Sequence, residues 1–284
     1  MRRKLADFCM LLLIYGASFF SVVLLAGILL YVFVNGIPAV TPSFLTEVSS
    51  ALRGTVGIGG NIVNTLYIVG LTLLIAVPSG IGAAVWLNEY AKRGTTVRII
   101  EFAVGTLSGI PSIIFGLFGM VFFGNGLGLG YSILTGALTL SLMILPYIVR
   151  STQDALRTVP EGYRSGAVGM GATRWYMIRT ILIPAAKPGI VTGIILAVGR
   201  IVGESAALLF TAGSGYLLPK SAAGAIQKMT ESGGTLAVQL YLCMSKAQFE
   251  AAFGIAVVLL CIVFFMNLLA KFLTGKWDVS HGRR

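Results

Sequence analysis

The chain of 284 residues is 56% hydrophobic and only 11% charged, with a formal net charge of +11 and a mean hydropathy of +0.90. Soluble globular chains carry about 25% charged residues, so this composition excludes a soluble globular protein. A nucleic-acid reading of the positive charge fails with it, because no soluble domain is left to carry the charge.

Apolar runs long enough to cross ~30 Å of hydrocarbon fall at 8–34, 62–87, 102–123, 131–149, 189–211 and 252–274. They predict an all-α polytopic membrane protein with six transmembrane helices. The first run follows Met-Arg-Arg-Lys but far exceeds the ~7–15 residues of a signal-peptide core, so it reads as an uncleaved helix. Cations alternate in density between successive loops. One side collects Arg2, Arg3, Lys4, Lys92, Arg93, Arg98, Arg150, Arg157, Arg164, Arg174, Arg179, Lys187, Lys271, Lys276, Arg283 and Arg284. The other side holds Arg53, Lys220, Lys228 and Lys246. Positive charge accumulates in cytoplasmic loops and beside anionic headgroups, which predicts that both termini are cytoplasmic.

Cys9, Cys243 and Cys261 form no CxxC spacing, and the single histidine is His281. Neither a metal site nor a disulfide framework is expected. No GxSxG, HExxH or GxxxxGKS occurs, so the chain is expected to be a non-catalytic subunit without a cofactor of its own. If ATP and Mg are used, another chain binds them. The glycine-rich "GNGLGLG" at 124–130 joins two apolar runs and reads as an external turn, since a phosphate-binding loop needs a strand before it and a helix after it.

The loop 150–188 is long, polar and cytoplasmic in this topology. Pro160 and Glu161 suit the first turn of a helix, because proline lacks an amide hydrogen that would be unpaired there and glutamate favours the positive dipole end. Gly169 and Gly171 suit a turn. A second helix restarts at the N-cap candidate Thr173 and runs through Trp175, and Pro184 and Pro188 are expected to break or kink the approach to the fifth span. A membrane-surface helix is usually more continuous; a short knob with exposed aromatics suits docking to another protein.

This loop resembles the EAA loop of permeases from binding-protein-dependent ABC importers, written Glu-Ala-Ala, three residues, Gly, nine residues, Ile-x-Leu-Pro. Gly171 and Ile181-Leu182-Ile183-Pro184 keep the frame, with Ile183 for Leu. Ser165-Gly166-Ala167 occupies the Glu-Ala-Ala positions, so the acidic anchor is missing; Glu161 lies about one helical turn earlier. Together with "NTLYIVGLTLLIAVPSGIGAAVWLNEYA" (64–91), "GIPSIIFGLFG" (109–119), "GATRW" (171–175), "GRIVGESAALLFTAG" (199–213) and "LAVQLY" (236–241), it is similar to the phosphate-specific PstA branch of that family. The resemblance implies a type I, MetI-like ABC importer permease in a prokaryotic inner membrane, with a first helix and external loop over 1–61, a permease domain over 62–275 and a cytoplasmic tail over 276–284. It implies a second, PstC-like permease, a PstB-like ATPase dimer and an extracytoplasmic PstS-like phosphate-binding protein as partners. Phosphate is the implied substrate, with molybdate or sulfate as alternative oxyanions and a self-sufficient carrier or channel as the reading from another class. Glu161, Tyr163, Arg164, Ser165, Gly166, Ala167, Gly171, Arg174 and Trp175 are the implied ATPase-coupling residues.

Arg200 and Glu204 stand inside the fifth apolar run. Counted from Gly189, Arg200 is ~16 Å along the helix, near mid-membrane, with Glu204 at i+4. Lone charges there cost at least ~2.5–3.5 kcal/mol each. Gly189, Gly193, Ala197, Arg200, Glu204 and Ala207 share one small-residue face, expected to turn away from lipid. Two roles stay open: a mutually neutralising clamp, or an oxyanion route in which Arg200 meets phosphate and Glu204 weakens its grip. For the external loop 212–251, a short helix contacting the binding protein and an unconstrained loop are equally compatible with the composition.

Overall fold

A computed structural model describes residues 2–50, 55–92, 94–218 and 222–278. Arg53, Arg93, Lys220, His281, Arg283, Arg284 and most of the expected tail 276–284 lie outside them. Five described helices are long and apolar enough to cross a membrane, six if a bent pair counts as one span.

Helix α1 (Arg2–Gly36) leads into the short α2 (Pro42–Thr46) and a hairpin of β1 (Val48–Ser50) with β2 (Thr55–Ile58). At its C-terminal end α1 packs on the last helix, where the Tyr31 ring meets Phe253 edge-on at 5.6 Å. Next comes α3 (Gly59–Val85), extended by a π-helical turn, Trp86–Tyr90. The third crossing is not the single helix expected over 102–123. It is α4 (Thr95–Leu107) followed by α5 (Ser112–Gly119) with a π-helical continuation over Met120–Gly126, bent by 102° at the junction. Pro111 explains the break, because proline pushes the preceding residue, Ile110, out of the helical region.

The fourth span, α6 (Ile133–Arg157), starts at Ser132, whose Oγ accepts from Thr135 N at 3.1 Å, and runs past the expected end at 149. It is followed by α7 (Glu161–Gly169) and α8 (Arg174–Met177). A π-helical turn, Ile178–Leu182, then joins α8 to α9 (Ile183–Val202) as one continuous span. So Pro184 does not interrupt the chain as expected: it occupies the first turn of α9, where a missing N–H costs little, and the wider π turn precedes it. The remaining elements are α10 (Ala206–Thr211), α11 (Ala222–Gln227), α12 (Leu236–Ser245) and α13 (Phe249–Asp278).

The centre of the bundle is α3 against α6, the most extensive helix interface. They run parallel: Thr72 O accepts from Ser141 Oγ at 3.4 Å, and about two turns further along Gly80 faces Ile148. Close contact at small residues is how helices associate where no hydrophobic driving force separates them from lipid. Helix α9 lies antiparallel on α6, with Gly189 on Ala155 and Gly193 on Ser151. Ile68, Leu140, Ile144, Ile148, Val198, Ile201 and Leu208 fill the space between the three.

At the end opposite α7, the segment after α10 is tied down and is not an unconstrained loop. Gly234 N donates to Gly215 O at 2.7 Å, and the buried side chains of Asn61 and Asn64 donate to Gly234 O and Gly215 O, both at 2.9 Å. Gly60 sits directly under the Tyr216 carbonyl, with no room for a Cβ. Gly60→Ala is therefore expected to destabilise the chain by ~1–3 kcal/mol, since backbone on that side cannot yield as a side chain would. Thermal melts in detergent check it, with Gly70→Ala, which opens into free space, expected to melt no lower than the parent.

Candidate functional site

Two regions carry the chemistry. The first is the knob formed by α7 and α8. Helix α7 ends at Met170, and Gly171 follows in the left-handed region at φ 81°. Gly171 N donates to Val168 O at 2.9 Å and Ala172 N to Ala167 O at 3.0 Å, which closes the helix end. Thr173 caps α8 as the sequence predicts, its Oγ1 accepting from Tyr176 N at 3.3 Å. Tyr163, Val168, Trp175 and Tyr176 are exposed, and Met170 is 89% exposed.

The nine coupling residues read from the sequence divide between two faces. Glu161, Tyr163, Ser165, Gly166, Gly171, Arg174 and Trp175 are exposed. Ser165, in place of the acidic anchor, turns its hydroxyl back to Glu161 O at 3.2 Å. Ala167 is buried, among Leu156, Val159, Met177 and Leu182. Arg164 is also turned inward. Its Nε and Nη2 form a fork on Glu89 at 3.4 and 3.0 Å, Nη2 reaches Leu156 O at 3.0 Å, and Nη1 reaches Val159 O and Glu161 Oε2 at 3.1 and 3.2 Å. The side chains of Arg164 and Glu89 are 16% and 6% exposed. The hydrogen-bonded Glu89 carboxylate outweighs burial and raises Arg164 above its ordinary value, so the guanidinium stays charged at every working pH. Removing either partner of such a pair leaves a buried charge, at a cost of ~3–5 kcal/mol.

Glu89 is the residue that sequence reading passes over. The available signal is a lone carboxylate closing the second apolar run, beside a loop otherwise rich in cations. The π-helical turn Trp86–Tyr90 carries it, and Asn88 Nδ2 donates to its Oε1 at 2.7 Å.

The second region is the fifth span. Helix α9 ends at Val202, with Gly203 N donating to Gly199 O and Glu204 N to Ile201 O, both at 3.2 Å. Arg200 is thus in the last turn of α9, while Glu204 lies in the break before α10 and not at i+4 on one continuous helix. Glu204 Oε1 accepts from Ala207 N at 3.1 Å, in the first turn of α10. Among the described residues Arg200 forms no ion pair, so the mutual clamp is not made. The antiparallel register, Gly189 on Ala155 and Gly193 on Ser151, puts Arg200 level with Ile144, about 16 Å from the start of α6. The small-residue face also divides: Gly193, Ala197 and Ala207 are buried and Glu204 is half-buried, whereas Gly189 and Arg200 are exposed.

The described residues thus give five spans and a bent sixth pair, a break after the fifth span and a helical knob at one end. Residues 76–278 match the family described as binding-protein-dependent transport system inner membrane component, and the chain belongs to that family. The probable ABC transporter permease protein YqgI of Bacillus subtilis (strain 168) is 43% identical over 190 residues, covering 67% of this chain and 65% of that relative. The chain therefore spans just under two thirds of that protein's length. The phosphate transport system permease protein PstA of Haemophilus influenzae is 36% identical over 210 residues, 72% of this chain and 74% of that protein. A chain of a bacterial alginate ABC transporter, solved with an alginate pentasaccharide-bound periplasmic protein, superposes with a TM-score of 0.70 at 17% identity over 94% of each chain. Such a likeness carries the fold alone. The all-α, MetI-like importer permease architecture expected from the sequence is the architecture found.

Proposed function

We propose that this chain is the permease subunit of an ATP-driven importer of inorganic phosphate, that Arg200 lies on the translocation route, and that the α7–α8 knob seats on a separate ATPase. The observation that carries the reading is Arg200: a cation level with the middle of α6, exposed from its own chain and without a carboxylate partner among the described residues. Placing such a charge in lipid costs at least ~2.5–3.5 kcal/mol. The irregular backbone at Gly203–Ser205 lies at similar depth, and non-helical backbone is tolerated there only against protein or a water-filled cavity. Both features therefore face a second permease subunit or the aqueous route between the two. Guanidinium offers a planar fork that matches tetrahedral oxyanions, and the phosphate named for PstA of Haemophilus influenzae is the anion this supports.

The knob supports the docking half of the reading. Gly162, Gly166 and Gly169 lie along one side of α7 with open space where each Cβ would stand. Gly166, inside the helix, costs ~1 kcal/mol of helix stability relative to alanine, and nothing among the described residues uses the gap. A smooth helix side flanked by Tyr163, Met170 and Trp175 allows a partner backbone to approach closely. With the termini cytoplasmic, as the cation distribution predicts, ATP and Mg sit on that partner and a phosphate-binding protein delivers from the opposite side. The test is reconstitution with a second permease, the ATPase and the binding protein. Phosphate-stimulated ATP hydrolysis accompanied by uptake is expected; stimulation by sulfate or molybdate instead would reassign the substrate.

A further inference from the structure

Arg164 belongs to the knob by sequence and to the bundle by contact. A guanidinium has five N–H donors, and the five bonds described above use all of them. Their acceptors come from the end of α3, the end of α6 with the turn beyond it, and α7 itself. No donor is left for a partner protein. We propose that Glu89 and Arg164 are positioning residues that carry displacement of α7 into the α3–α6 pair, an inference that rests on the reading of α7–α8 as the ATPase seat.

The connections around α7 make this fork the mechanical link. Short segments join α7 to α6 and to α8, and its one buried side chain is that of Ala167. Glu89 is 75 residues away in sequence, so the fork crosses between elements the backbone does not join directly. Two parallel bonds to one carboxylate set orientation as well as distance. Movement of α7 therefore turns or pulls the end of α3 along with it. Helix α3 continues without interruption from Gly59 through the π turn to Tyr90, and Asn61 and Asn64 at its other end hold Gly234 and Gly215. Alongside, Gly80 seats Ile148 of α6. The rod thus joins the knob to the tied segment at the far end of the bundle. The π-helical turn places Glu89 at the fork, a common use of such turns at functional positions.

The experiment compares Glu89→Gln and Arg164→Lys in the reconstituted complex. Each weakens the fork and keeps one donor–acceptor contact. Co-purified ATPase, binding-protein-stimulated hydrolysis and phosphate moved per ATP are measured separately. Both variants are expected to retain the ATPase and to hydrolyse ATP, while phosphate moved per ATP falls by about fivefold or more, the low end of coupling between sites. Arg157→Gln is the control; its bond to Glu101 joins half-exposed side chains, and it is expected to leave the ratio unchanged. An unchanged ratio in either fork variant overturns the inference. So does loss of the ATPase from both variants, because the pair would then shape the docking surface and not carry its motion. Failure of the unmodified chain to hold an ATPase overturns the docking reading instead.

Discussion

Arg200→Gln is expected to leave the chain folded and assembled and to lower phosphate uptake by about 10–150-fold, the range set by losing ~1.5–3 kcal/mol of charged hydrogen bonding. The single variant is informative because Arg200 and Glu204 are not a pair. Had they neutralised each other, either replacement would strand a buried charge and mimic loss of function through misassembly. Instead Glu204 holds the first turn of α10 through Ala207 N. Glu204→Gln keeps an oxygen there and is expected to fold normally. Glu204→Ala loses the cap and ~1 kcal/mol. Arg200→Lys is expected to fall between parent and glutamine, since the charge survives and the planar fork does not. Uptake per assembled complex is the measurement. Normal uptake by Arg200→Gln/Glu204→Gln would make both residues structural.

Gly171→Asp is expected to abolish productive docking while the membrane bundle stays intact. Gly171 has φ 81°, and a Cβ there would meet nothing among the described residues. The intramolecular cost is therefore conformational alone, ~1–2 kcal/mol for a left-handed residue with a side chain, and aspartate tolerates that region better than most. A β-branched residue does not, so Gly171→Val is expected to lower the melting temperature further than Gly171→Asp. If the turn is buried against an ATPase, the ranking reverses for coupling: the carboxylate must be desolvated at the interface, and Gly171→Asp loses ATPase-driven uptake most completely. Co-purification with the ATPase and uptake together check this. Wild-type uptake by Gly171→Asp would remove the turn from the docking surface.

The apolar spans were legible because length and hydropathy suffice to define a crossing, and the knob was legible because Gly171, Thr173 and Pro160 carry local turn and cap chemistry. What escaped were features set by distant or competing effects. Arg164 reads as a surface cation until Glu89 arrives from 75 residues away. Pro184 reads as a breaker, yet a π-helical turn precedes it and keeps α8 and α9 continuous. "GRIVGESAALLF" reads as one helix through Glu204, because glycine and serine only weaken a helix locally and the capping of α10 by Glu204 depends on where α9 stops. The bend before α5 was signalled by Gly109 and Pro111, but apolar periodicity on both sides concealed it.

If Arg200 meets phosphate in an aqueous route, replacing the charge at that position should decide transport. In a background where Cys9, Cys243 and Cys261 are replaced by serine or alanine, Arg200→Cys is reconstituted with the partner subunits. It is then treated with a cationic and, separately, an anionic methanethiosulfonate reagent. Both reagents are expected to reach the thiol from water, phosphate to slow their reaction, and only the cationic adduct to restore part of the lost uptake. A thiol that neither reagent reaches, or uptake that is normal before treatment and indifferent to the sign of the adduct, would contradict it.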